Sequence, residues 1–385
     1  MAQGRTSKVL ILGGGIGGVV AANALRRRLD SRHRIIVVDR EPTFRLAASF
    51  LWIMTGARKP EQISRPLARL ERKGIEVIHG EVERIDPAGK HAVVSGQTIE
   101  ADHLVVALGA EFTPEAIPGL VEWGHTFCTL DGAIRLRDAL EGLRSGRLLV
   151  LTAAPAYKCP AAPYEGAMLI EAMLRKRHVR GSVDIELHSA EPAPMGVAGP
   201  EASAAVRAMV EEKGIPYRPE HQIARVEAGR ATFSDGAAED FDLLVHVPPI
   251  APPRALQGSG LVDETGWVRV DRHTLETRFP DVYAVGDATL IPLAMGKPLP
   301  RAGVFAHGQA EAVARNIAAS VAGKARTARF DGHGACFVET GDGRAGFGSG
   351  DFYAEPLPAV RMRRPAWHWH AGKVLLEKQV MWAWL

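Results

Sequence analysis

Cysteine is scarce: the 385-residue chain holds three, Cys128, Cys159 and Cys336, too far apart for the disulfide scaffold of a small secreted domain. Long apolar runs are missing as well. No stretch approaches the roughly 18 apolar residues of a spanning helix. The short run Val9–Leu12 leads straight into glycines that belong to a folded motif rather than to a leader. The expectation is a protein made in the cytoplasm that stays there or lies on the inner face of the membrane. Charge of one sign is also in short supply. The net charge is +3 and no basic run exceeds three residues (Arg26–Arg28 is a solvated helix face), so nucleic acid is not an expected partner. Internal repeats and low-complexity segments are absent, and the one Pro-rich turn is Pro248–Pro253. What remains, 46% hydrophobic and 24% charged residues with 40 glycines, is the composition of an α/β enzyme with core enough for two or three domains.

Glycine is present where it matters first. Lys8–Leu12 (KVLIL) is a short buried strand, followed by Gly13-Gly14-Gly15-Ile16-Gly17-Gly18 and a helix through Leu29; Ile35–Asp39 (IIVVD) is the second strand. Gly13, Gly15 and Gly18 satisfy G-x-G-x-x-G between strand and helix, and Asp39 ends the next strand, where an acid can bind a ribose hydroxyl. That context points to a bound dinucleotide. A glycine-rich turn without a ligand leaves Asp39 unexplained. Two further strands stop at a glycine: His103–Ala110 (HLVVALGA), ending at Gly109, and Thr277–Ala288 (TRFPDVYAVGDA), ending in Gly286-Asp287. A cofactor longer than one mononucleotide needs contacts from distant segments, so residues 1–110 and 265–325 are expected to form one discontinuous domain, 111–264 a second, and 326–385 a C-terminal region.

Glycine is missing from the second candidate site. The unit Arg147–Ala190 has strands LLVLT and VDIELHS around a helix from about Tyr164 to Lys176, but its first turn reads TAAPAYKCPAAPYEG. Pro155, Pro160 and Pro163 remove N–H donors and stiffen the turn, and Gly166 comes too late to cradle a phosphate. The turn suits a rigidly held thiol at a crevice mouth, and a nicotinamide cofactor is not expected.

YKCPAAPYEGAMLIE resembles the C-P-x-A-P-Y-E motif of sulfide:quinone oxidoreductases and of flavocytochrome c sulfide dehydrogenase flavin subunits. The likeness runs along most of the chain. It takes in Phe44–Arg58, Pro300–Ile317 (PRAGVFAHGQAEAVARNI) and Gly334–Gly341 (GACFVETG); Thr277–Ala288 resembles the FAD signature of two-dinucleotide-binding-domain flavoproteins. The resemblance implies two Rossmann-like domains of the glutathione-reductase type plus a small C-terminal region. It implies FAD held by Gly13, Gly15, Gly18, Asp39, Arg40, Gly109, Gly286, Asp287 and Arg301, and Cys159 and Cys336 as a redox pair. Cys128 falls where many of these enzymes have a third cysteine. Sulfide opening a Cys159–Cys336 disulfide leaves a persulfide on Cys159 and a thiolate on Cys336, which passes two electrons to FAD and on to quinone. Glu165 is a candidate proton acceptor or, equally, a first-turn acid opposing the helix dipole. Read without the resemblance, the cysteines are small buried hydrophobes, which fits Cys128 better than Cys159 between prolines.

The chain departs from the family pattern in two places: Arg301 stands where Lys is usual, and Gly196 where a His is expected. Two other functions therefore stay open, a flavocytochrome-type subunit feeding a haem protein and a flavin-bearing persulfide carrier without turnover. A homo-oligomer is expected. Four of the seven tryptophans (Trp367, Trp369, Trp382, Trp384) fall in the last 19 residues, just after Arg361, Arg363 and Arg364. Such a segment suits peripheral contact with lipid headgroups, or cover for the flavin's re-oxidation face or a dimer contact. His368 and His370 share a face if the segment is a strand; without further ligands no metal is expected.

Overall fold

The computed structural model describes residues 6–385. In chain order the elements that position the site are β1 (Lys8–Leu12), α1 (Ile16–Arg26), β2 (Arg34–Asp39), α2 (Phe50–Met54), β3 (Glu76–His79) and β4 (His103–Val106). Then come β5 (Gly124–His125), β6 (Gly146–Thr152), α3 (Ala162–Lys176), β7 (Val183–His188), β8 (Tyr217–Arg218) and β9 (Leu243–Val247). The chain closes with β10 (Val282–Ala284), α4 (Gly303–Val321), β11 (His333–Gly341), β12 (Arg344–Asp351), β13 (Ala359–Ala366) and α5 (Trp367–Ala383).

Two five-stranded parallel sheets carry the molecule, in the orders β10-β4-β1-β2-β3 and β5-β9-β6-β7-β8. Their central strands are apolar runs buried along nearly their whole length, as parallel strands covered on both faces must be. The first sheet joins strands from both ends of the sequence, since β10 pairs with β4 in register from Leu104 against Val282. A Cβ on Gly13, at φ +107°, would lie 2.3 Å from the Ala107 carbonyl oxygen, and one on Gly18 would lie 1.8 Å from that of Gly13. These two glycines let strand, turn and helix close on one another. α4 then packs on α1, burying Val313, Ala314 and Ile317 in the same core as Val19 and Ala22.

The C-terminal region is a three-stranded antiparallel sheet, β11-β12-β13, with α5 laid across it. β11 runs along α3 so closely that a Cβ on Gly341 would meet the Ala172 methyl at 2.3 Å. This contact carries Cys336 to the start of α3, beside Cys159. The tryptophan-rich end is helical, so His368 and His370 do not share a face: the strand premise fails because the backbone turns into α5 at Trp367. Among the described residues no helix is long and apolar enough to cross a membrane, and no group of three His, Cys, Asp or Glu is disposed to hold a metal ion.

Candidate active site

The turn after β6 is built around Cys159. Its backbone is left-handed (φ 57°), its N–H donates to the carbonyl of Arg301 at 2.8 Å, and its carbonyl accepts from Ala162 N at 2.9 Å as α3 begins. The Pro/Cys turn is thus tied to the segment that precedes α4. All three cysteines are free thiols, and all pack against one apolar cluster that includes Phe127, Tyr157, Ala161 and Val338. Burial pushes the Cys128 thiol up to about 11 and that of Cys336 up to about 12. Burial also raises Cys159, and the charges of Cys336, Glu165 and Cys128 push it in the same direction. Cys336 lies three residues before Glu339 on β11, and the Glu339 amide bonds to Glu165 on the helix that follows Cys159, so residues remote in the chain are brought to one end of α3.

Glu165, on the first turn of α3, is buried. Its Oε1 accepts from Lys373 Nζ at 2.6 Å and from the amide of Glu339 at 2.9 Å. Burial works against the Lys373 ammonium, but the carboxylates of Glu165 and Glu339 outweigh it and hold its pKa above the ordinary lysine value. Burial raises the Glu339 carboxyl, opposed by Lys373 and by His370, whose Nδ1 lies 2.9 Å from Glu339 Oε2. One turn further along α5, the buried Glu377 accepts from Arg58 Nε at 2.9 Å and from Ser49 Oγ at 2.9 Å. Trp52 of α2 lies among these charges, with Arg58 4.6 Å and Lys373 5.3 Å from its ring centroid.

The expected cofactor contacts line a second, adjoining set of edges. Gly15 and Gly109 (φ +72°) both face open space, where an added Cβ would meet nothing within 4 Å. Asp39 Oδ2 accepts from Gly14 N at 2.5 Å and its Oδ1 from Glu41 N at 2.7 Å, fixing the carboxylate at the end of β2. Arg40 is exposed and 3.4 Å from Glu111. Gly286 (φ +72°) donates its N–H to Gln309 Oε1 at 2.6 Å. Burial raises the Asp287 carboxyl, opposed by Lys158, 4.0 Å away, and by Arg301. Arg301 stacks 3.7 Å from the Trp267 ring centroid and donates through Nε to the Asp287 carbonyl, while its buried Nη2 has no protein partner. Bare amides at a helix N-terminus, open space before two glycines and an orphaned buried guanidinium nitrogen fit a flavin nucleotide.

A family model described as pyridine nucleotide-disulphide oxidoreductase matches residues 7–156 and 160–310. The chain belongs to that family. Among curated proteins it is 28% identical to the sulfide-quinone reductase of Aquifex aeolicus, covering 97% of this chain and 90% of that one. It is 27% identical to the mitochondrial sulfide:quinone oxidoreductase of Mus musculus, covering 91% of this chain and 79% of the relative. The solved structure of the Aquifex aeolicus sulfide:quinone oxidoreductase superposes with a TM-score of 0.88 at 26% identity, over 98% of this chain and 91% of that one. In this pyridine nucleotide-disulphide oxidoreductase the turn that opens the second βαβ unit is packed with tyrosines. Tyr157 donates to Glu191 Oε2 at 2.6 Å, and Tyr164 and Tyr217 pack at 6.2 Å beneath.

Lys373, Glu339, Lys158 and Trp267 are site residues that sequence reasoning passed over, and His370, singled out there only as a possible strand partner of His368, belongs with them. For Lys373 a signal existed. Lys373, Glu377, Val380 and Met381 repeat at helical spacing and form the inward stripe of α5, so two opposite charges lie on the apolar side of a helix. The tryptophans divide. Trp369 stacks on Phe347 at 4.5 Å and Trp384 on His307 at 5.7 Å, whereas Trp367 and Trp382 are 69% and 85% exposed.

Proposed function

We propose that this chain is an FAD-dependent sulfide:quinone oxidoreductase in which Cys159 and Cys336 form the redox pair. The observation that carries the reading is that β11, which bears Cys336, bonds through the Glu339 amide to Glu165 on the helix that follows Cys159, while the Cys159–Arg301 backbone bond ties this site to the edge of the nucleotide cradle. In the oxidised pair, HS⁻ attacks the Cys159 sulfur, the S–S bond breaks, and Cys336 leaves as a thiolate while Cys159 holds S–SH. Burial opposes that thiolate and Glu165 repels it; the nearby Lys373 ammonium favours it. Glu165, hydrogen-bonded to Lys373 at the same place, takes the persulfide proton, which readies Cys159 to extend its sulfur chain. Gly13, Gly15 and Gly18 at the pyrophosphate, Asp39 and Arg40 at the ribose end, Gly109 and Gly286-Asp287 along the ribityl chain, and Arg301 beside the ring would hold FAD. When bound, FAD supplies the two-electron acceptor that is re-oxidised by quinone. Cys128 lines the same cluster and enters as a third thiol of the site.

The outward stripe of α5 supports peripheral contact with lipid. Trp367, Leu375 and Trp382 recur at helical spacing, with Leu375 69% exposed, and exposed Arg361, Arg363 and Arg364 precede them. Anaerobic mixing of the flavin-loaded protein with sulfide tests the function. Bleaching of the flavin band followed by recovery on adding a soluble quinone supports it. Recovery only with cytochrome c favours a subunit that feeds a haem protein, and absence of bleaching favours a persulfide carrier.

A further inference from the structure

Oxidising HS⁻ to zero-valent sulfur releases one proton and two electrons, and here the proton appears beside charged groups that are cut off from bulk water. Glu165, Glu339 and Lys373 are all buried, and the thiols, themselves partly buried, pack against the core beside them. One side chain of the cluster reaches out: His370, whose side chain is 32% exposed while its Nδ1 contacts the buried Glu339 carboxylate at 2.9 Å.

We propose that His370, acting through Glu339, is the solvent-side end of a proton relay that drains the thiol site by way of Glu165 and Lys373; the proposal rests on the sulfide-oxidising reading above. Each transfer balances. Glu165 takes the proton of the S–H group; Lys373, whose Nζ rests on Glu165 Oε1, swings its ammonium to the Glu339 carboxylate, gives it one proton and regains one from Glu165 on returning. Glu339 passes its proton to Nδ1 of a neutral His370, which releases another from Nε2 to water; a proton shift from Nδ1 back to Nε2 through solvent then resets the imidazole tautomer, and every other group is already in its starting state. The groups facing the relay from each neighbouring element are accounted for. α3 contributes Glu165, and β11 contributes Cys336 and Glu339. α5 contributes His370, Lys373 and Glu377, and the last is occupied at both oxygens by Arg58 and Ser49. From α2 comes the buried Trp52, edge-on to His370 at 5.9 Å. The raised pKa of Glu339 narrows the gap between it and its neighbours, as a relay carboxyl requires.

The test uses the flavin-loaded protein, anaerobic and lightly buffered, mixed with sulfide in the presence of a pH indicator. In the unsubstituted protein, proton release should keep pace with flavin bleaching. His370→Ala should slow both on the order of 10²-fold, and millimolar imidazole should restore them. His370→Gln, which fills similar space against Trp52, should be slowed alike, and Glu339→Gln should be slowed without rescue by imidazole. Unaltered proton release in either His370 variant or in Glu339→Gln, or a slowdown in His370→Ala that imidazole leaves untouched, would overturn the relay while leaving sulfide oxidation standing. No bleaching in the unsubstituted protein would remove the functional reading instead.

Discussion

Lys373 Nζ and Glu165 Oε1 lie 2.6 Å apart across a sequence separation of 208 residues, and they join the last helix to the helix that starts beside Cys159. This buried pair pins the C-terminal region to the second sheet's domain and sets the charge that the thiols feel.

Breaking the pair from one side leaves a buried charge uncompensated. Lys373→Met should lower stability by about 3–5 kcal/mol, read from the midpoint of a urea titration. Combining it with Glu165→Gln should recover much of the loss, because the stranded carboxylate is then gone. Equal loss in single and double variants would show that Lys373 acts by packing alone.

Thiol chemistry has its own dependence on pH. Folded-state pKa values of about 11 for Cys128 and about 12 for Cys336 lie above the unfolded value, so the folded chain holds these protons more tightly. Their contribution to stability is complete below the unfolded thiol pKa of about 8.5. It is lost as pH climbs through the folded values, at about 1.4 kcal/mol per thiol for each pH unit. Alkylation of the native protein by iodoacetamide should therefore keep rising from neutral pH past pH 10; a plateau near pH 8 would contradict the buried environment.

Cys336→Ser should abolish bleaching of the flavin by sulfide, and Cys159→Ser should do the same, since neither variant can form the disulfide that sulfide opens. Stopped-flow absorbance in the flavin band reads this directly. Full bleaching in Cys336→Ser would remove that residue from the reaction.

The glycines of the first turn separate folding from ligand binding. An added Cβ at Gly15 meets open space, whereas at Gly18 it lies 1.8 Å from a backbone oxygen. Gly15→Val should fold with unchanged circular dichroism yet purify with little flavin absorbance per protein. Gly18→Ala should lose thermal stability as well. Flavin at full occupancy in Gly15→Val would place the pyrophosphate elsewhere.

Trp382 and Leu375 are exposed and remote from the inward stripe of α5. Trp382→Glu combined with Leu375→Glu should reduce co-sedimentation with anionic phospholipid vesicles at least several-fold while leaving bleaching by sulfide intact. Undiminished sedimentation would assign the stripe to some other contact.

Local chemistry explains why parts of this site are legible in the bare sequence. A G-x-G-x-x-G turn needs no distant partner to be recognised, because each glycine answers a steric demand within one strand–turn–helix unit, and Asp39 follows from the length of that unit. The proline-bound Cys159 likewise announces a stiff turn without bare amides. The pairing of Cys159 with Cys336 came from resemblance, since no spacing rule joins residues so far apart. Taken as a strand, the segment around His368 and His370 misplaced both rings; the change into α5 follows Ala366, and helix pitch then sends His370 inward to Glu339 and leaves His368 outside.

By itself, then, the sequence determined the nucleotide turn, the two runs of buried parallel strands and the absence of a glycine cradle in the second unit, all of which are written in contiguous residues. Only the tertiary structure decided that Lys373, Glu339 and His370 surround the thiols. Charged side chains on a C-terminal helix read as solvated until another surface buries them. What buries them is the packing of α5 on β11 and β12, and what brings them to the thiols is the packing of β11 against α3, where Gly341 meets Ala172, 169 residues away in the chain.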